Sequence, residues 1–325
     1  MSAVLDVSGL RTVIDTDDGP LRAVDDVGFA IRSGECLALV GESGCGKSVT
    51  ALSLMRLLPD AASIVAGRVD LSGKDLLALH EAAMRGIRGK RLAMIFQEPA
   101  TALNPVLTIG QQIAEVLERH GGSAGEAAQP RAAELLRSVG VPEPERRLQE
   151  YPFQLSGGLK QRAMIAAALA ADPEVLIADE PTTALDVTIQ AQILELMQSL
   201  QRDMGLAIVL ITHDLGVIAE TCNDVVVMYA GRVAESGPVQ AIFDRPSHPY
   251  TRGLLDSIPL LENERKTRLN VIDGMVPSLK DLPVGCRFQN RCPFRIDRCS
   301  TAPVLESVAP GHEAACHRWR ELPPR

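Results

Sequence analysis

The chain has 325 residues, 46% of them hydrophobic and 23% charged, and a formal net charge of −8 at pH 7. This composition excludes a wholly disordered chain and a basic nucleic-acid footprint spread over the whole surface, while a local basic groove stays open. No apolar run approaches the roughly 18 residues of a membrane span. The N-terminal MSAVLDVSGL also lacks the basic-then-apolar order of a secretory signal, so the chain is expected to be kept in the cytoplasm.

Aromatic residues are only 3% of the chain, so the core is expected to be aliphatic and Ala-rich. The first hundred residues read as short strands and turns around a few buried runs. Cys36–Val40 is a continuous apolar run of strand length, followed by the Gly-rich stretch Gly41–Ser48. Val49–Leu58 then has helical spacing and stops before Pro59. Arg91–Phe96 is a second strand candidate, and residues 105–170 are mostly helical in pattern, broken by a loop at Gly121–Gly125 and by Pro142 and Pro144. Val175–Ala178 and Leu206–Ile211 are short apolar runs suited to strands buried on both faces, with a helix over Thr188–Arg202 between them. Val225–Tyr229 and Arg232–Glu235 read as a late hairpin about Ala230-Gly231. Strands alternating with helices imply a parallel sheet and an α/β core.

Gly41-Glu-Ser-Gly-Cys-Gly-Lys47-Ser48 satisfies G-x-x-x-x-G-K-[ST] between a strand and a helix. Glycines there let backbone N–H groups curl around phosphate oxygens, and the following helix presents its positive end. Lys47 supplies a point charge for the β/γ-phosphates and Ser48 an oxygen for Mg²⁺. Val175–Glu180 ends an apolar strand in two carboxylates, Asp179 and Glu180. One suits a metal partner and the next a general base for an attacking water. Ser156-Gly157-Gly158 opens a helix; Ser156 suits an ordinary N-cap, and the bare amides suit a phosphate.

Taken together, these motifs resemble the nucleotide-binding subunit of ATP-binding cassette (ABC) transporters. Gly41–Ser48 looks like its Walker A loop, Gln97 its Q-loop and Leu155–Leu159 its signature. Val175–Glu180 looks like Walker B, Ala184-Leu185-Asp186 the D-loop, and His213 after Thr212 the switch histidine. The resemblance implies a P-loop NTPase (RecA-like) core with an inserted helical subdomain and an N-terminal antiparallel β region. It implies ATP held by Gly41, Ser43, Gly44, Cys45, Gly46, Lys47, Ser48 and Val49, and by Ser156, Gly157 and Gly158 of a second cassette, with Asp186 near the dimer interface. Ser48, Gln97 and Asp179 would hold Mg²⁺, Glu180 would be the general base, Gln97 would also contact the attacking water, and His213 would grip the γ-phosphate. Two positions depart from the family: Leu159 replaces the usual Gln after Ser-Gly-Gly, and Ile14 stands where an aromatic residue usually stacks on adenine.

Residues 1–255 are accordingly expected to form the nucleotide-binding domain, with its helical subdomain at about 105–170, and residues 256–325 a C-terminal extension. That extension carries Cys286, Cys292, Cys299 and Cys316 in the spacing C-x5-C-x6-C-x16-C, with seven arginines against four acids from Val284 to Arg325. The spacing lacks paired C-x2-C knuckles, so a zinc ribbon is not its natural reading. Four thiolates suit a [4Fe–4S] cluster; zinc and four free cysteines stay open on the residues alone, as do His312 and His317 as substitute ligands.

A narrower resemblance, to the dipeptide/oligopeptide importer branch, rests on Tyr151–Gln154, Met94–Pro99, Leu103–Pro105, Ser247–Thr251 and Pro283–Pro293. Its tail is known to hold a [4Fe–4S] cluster, and the branch also contains nickel and glutathione importers. It implies a peripheral ATPase on the cytoplasmic face of the inner membrane. The partners would be a second, usually related cassette, two transmembrane permease subunits and an extracytoplasmic binding protein, with no nucleic acid. A soluble ABC ATPase acting on nucleic acid or ribosomes is the rival from another class. Such proteins usually carry two cassettes or a long coiled-coil insertion, and this chain has one cassette and neither. A third reading, a non-hydrolysing regulatory module, is opposed by the intact Glu180 and His213.

Overall fold

The computed structural model describes residues 2–121, 127–183, 185–258 and 271–323; Ala184 and most of the loop expected at 121–125 lie outside them. The chain begins with β1 (Leu5–Thr16), β2 (Gly19–Ile31), β3 (Cys36–Val40), α1 (Lys47–Met55), β4 (Ala62–Leu71) and β5 (Lys74–Asp75). Then come α2 (Glu81–Arg85), β6 (Leu92–Ile95), α3 (Pro99–Ala102), α4 (Ile109–Val116), α5 (Ala128–Ser138), α6 (Pro144–Arg147) and α7 (Gly157–Leu169). The remainder is β7 (Val175–Asp179), α8 (Val187–Met204), β8 (Ala207–Ile211), α9 (Leu215–Thr221), β9 (Asp224–Tyr229), β10 (Arg232–Pro238), α10 (Val239–Asp244), α11 (Pro249–Asp256), β11 (Glu306–Ala309) and β12 (His312–Ala314). These elements form two compact units built from interleaved segments. One contains Leu71–Ile211 with Met1–Leu5 and Ile31–Cys36; the other contains Asp6–Ala30, Leu37–Asp70 and Thr212–Arg325.

In the first unit β6, β7 and β8 are parallel, in registers Leu92↔Val175 and Val175↔Ala207. Every residue of the three strands is buried, which is why they read as unbroken apolar runs rather than alternating ones. The helices α4, α5 and α7 pack on one another. α4 starts at a reciprocal capping box between Thr108 and Gln111 and buries Ile109 and Ile113 on one face.

In the second unit β2, β1 and β4 lie side by side in that order. β1 and β2 are 12 and 13 residues long, not short as the sequence suggests. In β1 the buried positions are Leu5 and Val7, then Leu10 and Thr12. The alternation slips at Gly9, whose φ is 58°, as at a β-bulge. One long strand therefore carries two phases and reads as two short ones. β3 pairs parallel with β9 (Leu37↔Asp224 to Val40↔Val227) and β10 runs antiparallel to β9, the expected hairpin. α1 ends earlier than its spacing implies, because Arg56 turns into the left-handed region at φ 51° and caps it.

The C-terminal extension is irregular, as expected, yet it joins this sheet. β12 pairs with β10 (Glu235↔Ala314) and β11 with β12. Phe288 is buried in one core cluster with Tyr229 and Tyr250, in edge-on contact with the Tyr229 ring at 5.2 Å between centroids. Three of the ten aromatic residues, Tyr229, Tyr250 and Phe288, meet at this seam between tail and sheet.

Candidate nucleotide site

The loop Gly41–Gly46 leaves the buried end of β3 and delivers the chain into α1 at Lys47. Two glycines there are required by space as well as by backbone angle. A Cβ on Gly41 would lie 2.2 Å from the Met228 carbonyl, and one on Gly46 2.5 Å from the Ala23 carbonyl. No side chain caps the start of α1, so its first amides are directed into the loop without a side-chain acceptor. The Lys47 ammonium, 7% exposed, donates to the carbonyls of Gly41 at 2.7 Å and Glu42 at 3.2 Å. Cys45 is fully buried beneath the loop; burial pushes its thiol up, with Lys47 opposing. Ser43 and Gly44 are exposed, and Ser48 and Val49 half-buried. Ile14 is half-buried in β1. We expect Gly41→Ala to weaken ATP binding by about tenfold or more, since overpacking costs of order 1–3 kcal/mol fall directly on the loop; an unchanged affinity in an equilibrium titration would refute this reading of the glycine.

His213 is exposed in the second unit, beside Thr212, whose hydroxyl accepts from the Asp214 N–H at 3.1 Å. Asp214 in turn caps α9, accepting from Gly216 and Val217. The backbone on either side of the histidine is thereby fixed.

In the first unit Asp179 is 5% exposed at the end of β7. Glu180 follows with φ 46°, a left-handed conformation rare for a glutamate that costs about 1–3 kcal/mol and concentrates at functional sites. Its N–H donates to the Ile211 carbonyl at 2.9 Å. Gln97 Nε2 and Thr183 Oγ1 both donate to Glu180 Oε2, at 3.0 and 2.9 Å. Sequence reasoning named Gln97 and Glu180 but missed Thr183. The signal was available in its spacing, a hydroxyl three residues after the acid.

Ser156 caps α7, accepting from the Leu159 N–H at 3.4 Å, so position 159 contributes a backbone amide rather than its side chain to the cap. Asp186 caps α8, accepting from the Ile189 N–H at 3.0 Å. Both helix starts line one cleft of about 490 Å³ with Gly157, Gly158, Arg162 and Gln192. Gly158 packs on Ile189 so closely that a Cβ would lie 2.9 Å from its side chain. The signature turn and Asp186 are thus brought together, and Gln97 is brought to Glu180.

The chain matches the ABC transporter family over residues 24–183 and the oligopeptide/dipeptide transporter C-terminal region over residues 234–299. It is 54% identical over 98% of its length, and 96% of the relative's, to a probable peptide ABC transporter ATP-binding protein of Sinorhizobium fredii. The chain belongs to the ABC transporter family. It is also 53% identical to a putative peptide import ATP-binding protein of Brucella melitensis, covering 98% of each chain. A solved dimeric ATP-binding cassette bound to ADP and Pi superposes on 72% of this chain and 98% of its own, with a TM-score of 0.65 and 27% identity. Among the described residues of the cassette, no helix is long and apolar enough to cross a membrane.

The four tail cysteines line one small depression with Phe288, Phe294, His248 and His317. Burial pushes the Cys286 and Cys316 thiols up to about 11, and the neighbouring cysteines add to the shift. The Arg318 N–H donates to Cys316 Sγ at 3.4 Å. His312 is not among them: its Nε2 lies 2.7 Å from Glu235 Oε1 in a buried pair. His317 Nε2 lies 2.9 Å from the Thr301 carbonyl. Among the described residues, no three His, Cys, Asp or Glu side chains gather in an arrangement that would hold a metal ion.

Proposed function

We propose that this chain is the ATP-hydrolysing subunit of an importer for di- or oligopeptides. The observation that carries the catalytic part is the Glu180 carboxylate, held by Gln97 and Thr183 at a strained strand end. Lys47 and the amides of Gly41–Val49 bind the triphosphate, and Glu180 takes the proton of the attacking water. Gln97 holds that carboxylate and orients the water, and His213 steadies the γ-phosphate. Ser48, Asp179 and Gln97 are the residues that would offer hard oxygen donors to Mg²⁺, and a bound ion would supply charge neutralisation on the triphosphate. Ser156, Gly157 and Gly158, with Asp186, serve the ATP of a second cassette, a copy or a related chain.

The peptide substrate is supported by the tail region matched over residues 234–299 and by the peptide-importer names of the relatives. The chain would work peripherally at the cytoplasmic face of the inner membrane, with two permease subunits and a substrate-binding protein. The test is reconstitution of the full chain with those partners in vesicles. Peptide added with the binding protein should raise ATP hydrolysis and drive uptake. Hydrolysis stimulated instead by ribosomes or nucleic acid would favour the soluble ATPase, and stimulation by nickel or glutathione would reassign the cargo.

For the tail, Cys286, Cys292, Cys299 and Cys316 are the residues that would hold a [4Fe–4S] cluster. Their donor chemistry fits: four thiols line one apolar depression, and a backbone N–H donates to one of the sulfurs. A single zinc ion is the alternative occupant, disfavoured by the absence of paired C-x2-C spacing among these four cysteines. Purified chain is expected to contain about four iron and four acid-labile sulfide with a brown visible absorption. A colourless protein with stoichiometric zinc would overturn this.

A further inference from the structure

The second residue of the phosphate loop is an acid, Glu42, in a loop whose task is to receive a polyanion. An unpaired carboxylate there would oppose the ligand by direct repulsion. The structure places a cation from the C-terminal tail on it. Arg291 Nη1 and Nη2 donate to the two oxygens of Glu42 at 2.6 and 3.0 Å, across 249 positions of sequence. The arginine side chain is 5% exposed. Its other donors are engaged too, Nε to the Asp273 carbonyl at 2.9 Å and Nη2 to those of Ile272 and Gly274 at 3.2 Å.

Glu42 is held from a second side as well. Its backbone N–H donates to the Tyr250 hydroxyl at 2.8 Å, and Tyr250 is fully buried against Tyr229 and Phe288. Phe288 and Arg291 belong to one turn of the tail, in which the Arg291 N–H donates to the Phe288 carbonyl at 3.0 Å. The same segment is also linked to the loop at Cys45 through one intervening turn. Arg287 donates to the Ala230 carbonyl, and the next residue, Gly231, donates its N–H to the Cys45 carbonyl at 2.8 Å.

We propose that Arg291 is a positioning residue of the ATP site: by chelating Glu42 it neutralises the acid of the phosphate loop and fixes the loop's first turn, so that the C-terminal tail forms part of the nucleotide-binding machinery. Arg291 touches no reacting atom in this role. It sets how well the loop accepts phosphate, not how fast bound ATP reacts. The proposal rests on ATP occupying the Gly41–Ser48 loop.

The test uses the full chain, reading equilibrium binding of a fluorescent ATP analogue, and the assembled transporter, reading KM and kcat. Arg291→Met should raise the dissociation constant and KM for ATP by about tenfold or more, because it leaves a half-buried carboxylate unpaired, while kcat stays within about threefold. Arg291→Met combined with Glu42→Gln should recover most of the lost affinity, since no bare charge then faces the phosphates. A purely structural arginine would give no such rescue. Arg291→Lys keeps the charge without the two-pronged grip and should fall between. Unchanged ATP affinity in Arg291→Met, or a double variant no better than the single one, overturns the proposal. So does unfolding of both Arg291→Met and Arg291→Lys, which would make the residue a structural one. Failure of the unaltered chain to bind the analogue would instead remove the ATP reading itself, so the two failures are distinguishable.

Discussion

Glu180→Gln is expected to lower ATP hydrolysis by about 10²–10⁴-fold, the range for removing a positioned general base, while ATP binding is retained. The substitution keeps shape and size. It also keeps an oxygen that can accept from Gln97 Nε2 and Thr183 Oγ1, whose two bonds now fix the carboxylate. What it removes is the ability to take a proton. The strained backbone at φ 46° is held by the Glu180 N–H bond to Ile211 and should survive, because neither depends on the carboxylate. A companion variant, Thr183→Ala, separates positioning from chemistry. It removes one of two hydrogen bonds to Oε2 and should cost about ten- to hundredfold in kcat, since a single hydrogen bond to a charged group is worth about 1.5–3 kcal/mol. Single-turnover hydrolysis with saturating ATP is the measurement. A Glu180→Gln chain that turns over at the parent rate would remove the glutamate from the mechanism.

The parts of this site legible in the sequence are those in which chemistry and spacing lie on one short segment. The phosphate loop can be read because glycines, lysine and serine must follow one another to wrap one phosphate group. β6, β7 and β8 can be read because burial on both faces forces unbroken apolar runs. The long strand β1 is harder: its alternation changes phase at Gly9, and pattern reading sees two pieces. The role of the tail is not legible at all. Arg291 and Glu42 are 249 positions apart, and Tyr250 and Glu42 208 apart. No local periodicity encodes such a pair. The cysteines draw attention to the tail, and Ser247–Thr251 and Pro283–Pro293 stand out as motifs, yet nothing within either segment says that its tyrosine or arginine reaches the phosphate loop.

The second large effect is expected at Glu235, a residue with no place in the chemistry. Its side chain is 0% exposed and lies in β10. Oε1 accepts from the Ser247 N–H at 2.5 Å, Oε2 accepts from the His248 N–H at 2.9 Å, and His312 Nε2 contacts Oε1 at 2.7 Å. Glu235→Ala would leave two backbone donors and a buried imidazole without their acceptor. Breaking a buried charged network in this way costs about 3–5 kcal/mol, a large share of the stability of an ordinary domain. Glu235→Gln should lose less, because one oxygen still accepts while the new amide N–H faces a donor. The consequence reaches the nucleotide loop through a short chain of contacts. His248 Nδ1 accepts from the Tyr250 N–H at 3.0 Å, and the Tyr250 hydroxyl accepts from the Glu42 N–H. Glu235 therefore anchors the start of α11, α11 carries Tyr250, and Tyr250 meets the loop at the Glu42 N–H while Arg291 grips the Glu42 carboxylate. Urea unfolding of the full chain should show the order parent, Gln variant, Ala variant. A loss below about 1 kcal/mol for Glu235→Ala, the worth of a single ordinary hydrogen bond, would mean that solvent or a rearranged tail replaces the carboxylate, and that the sheet does not depend on this junction.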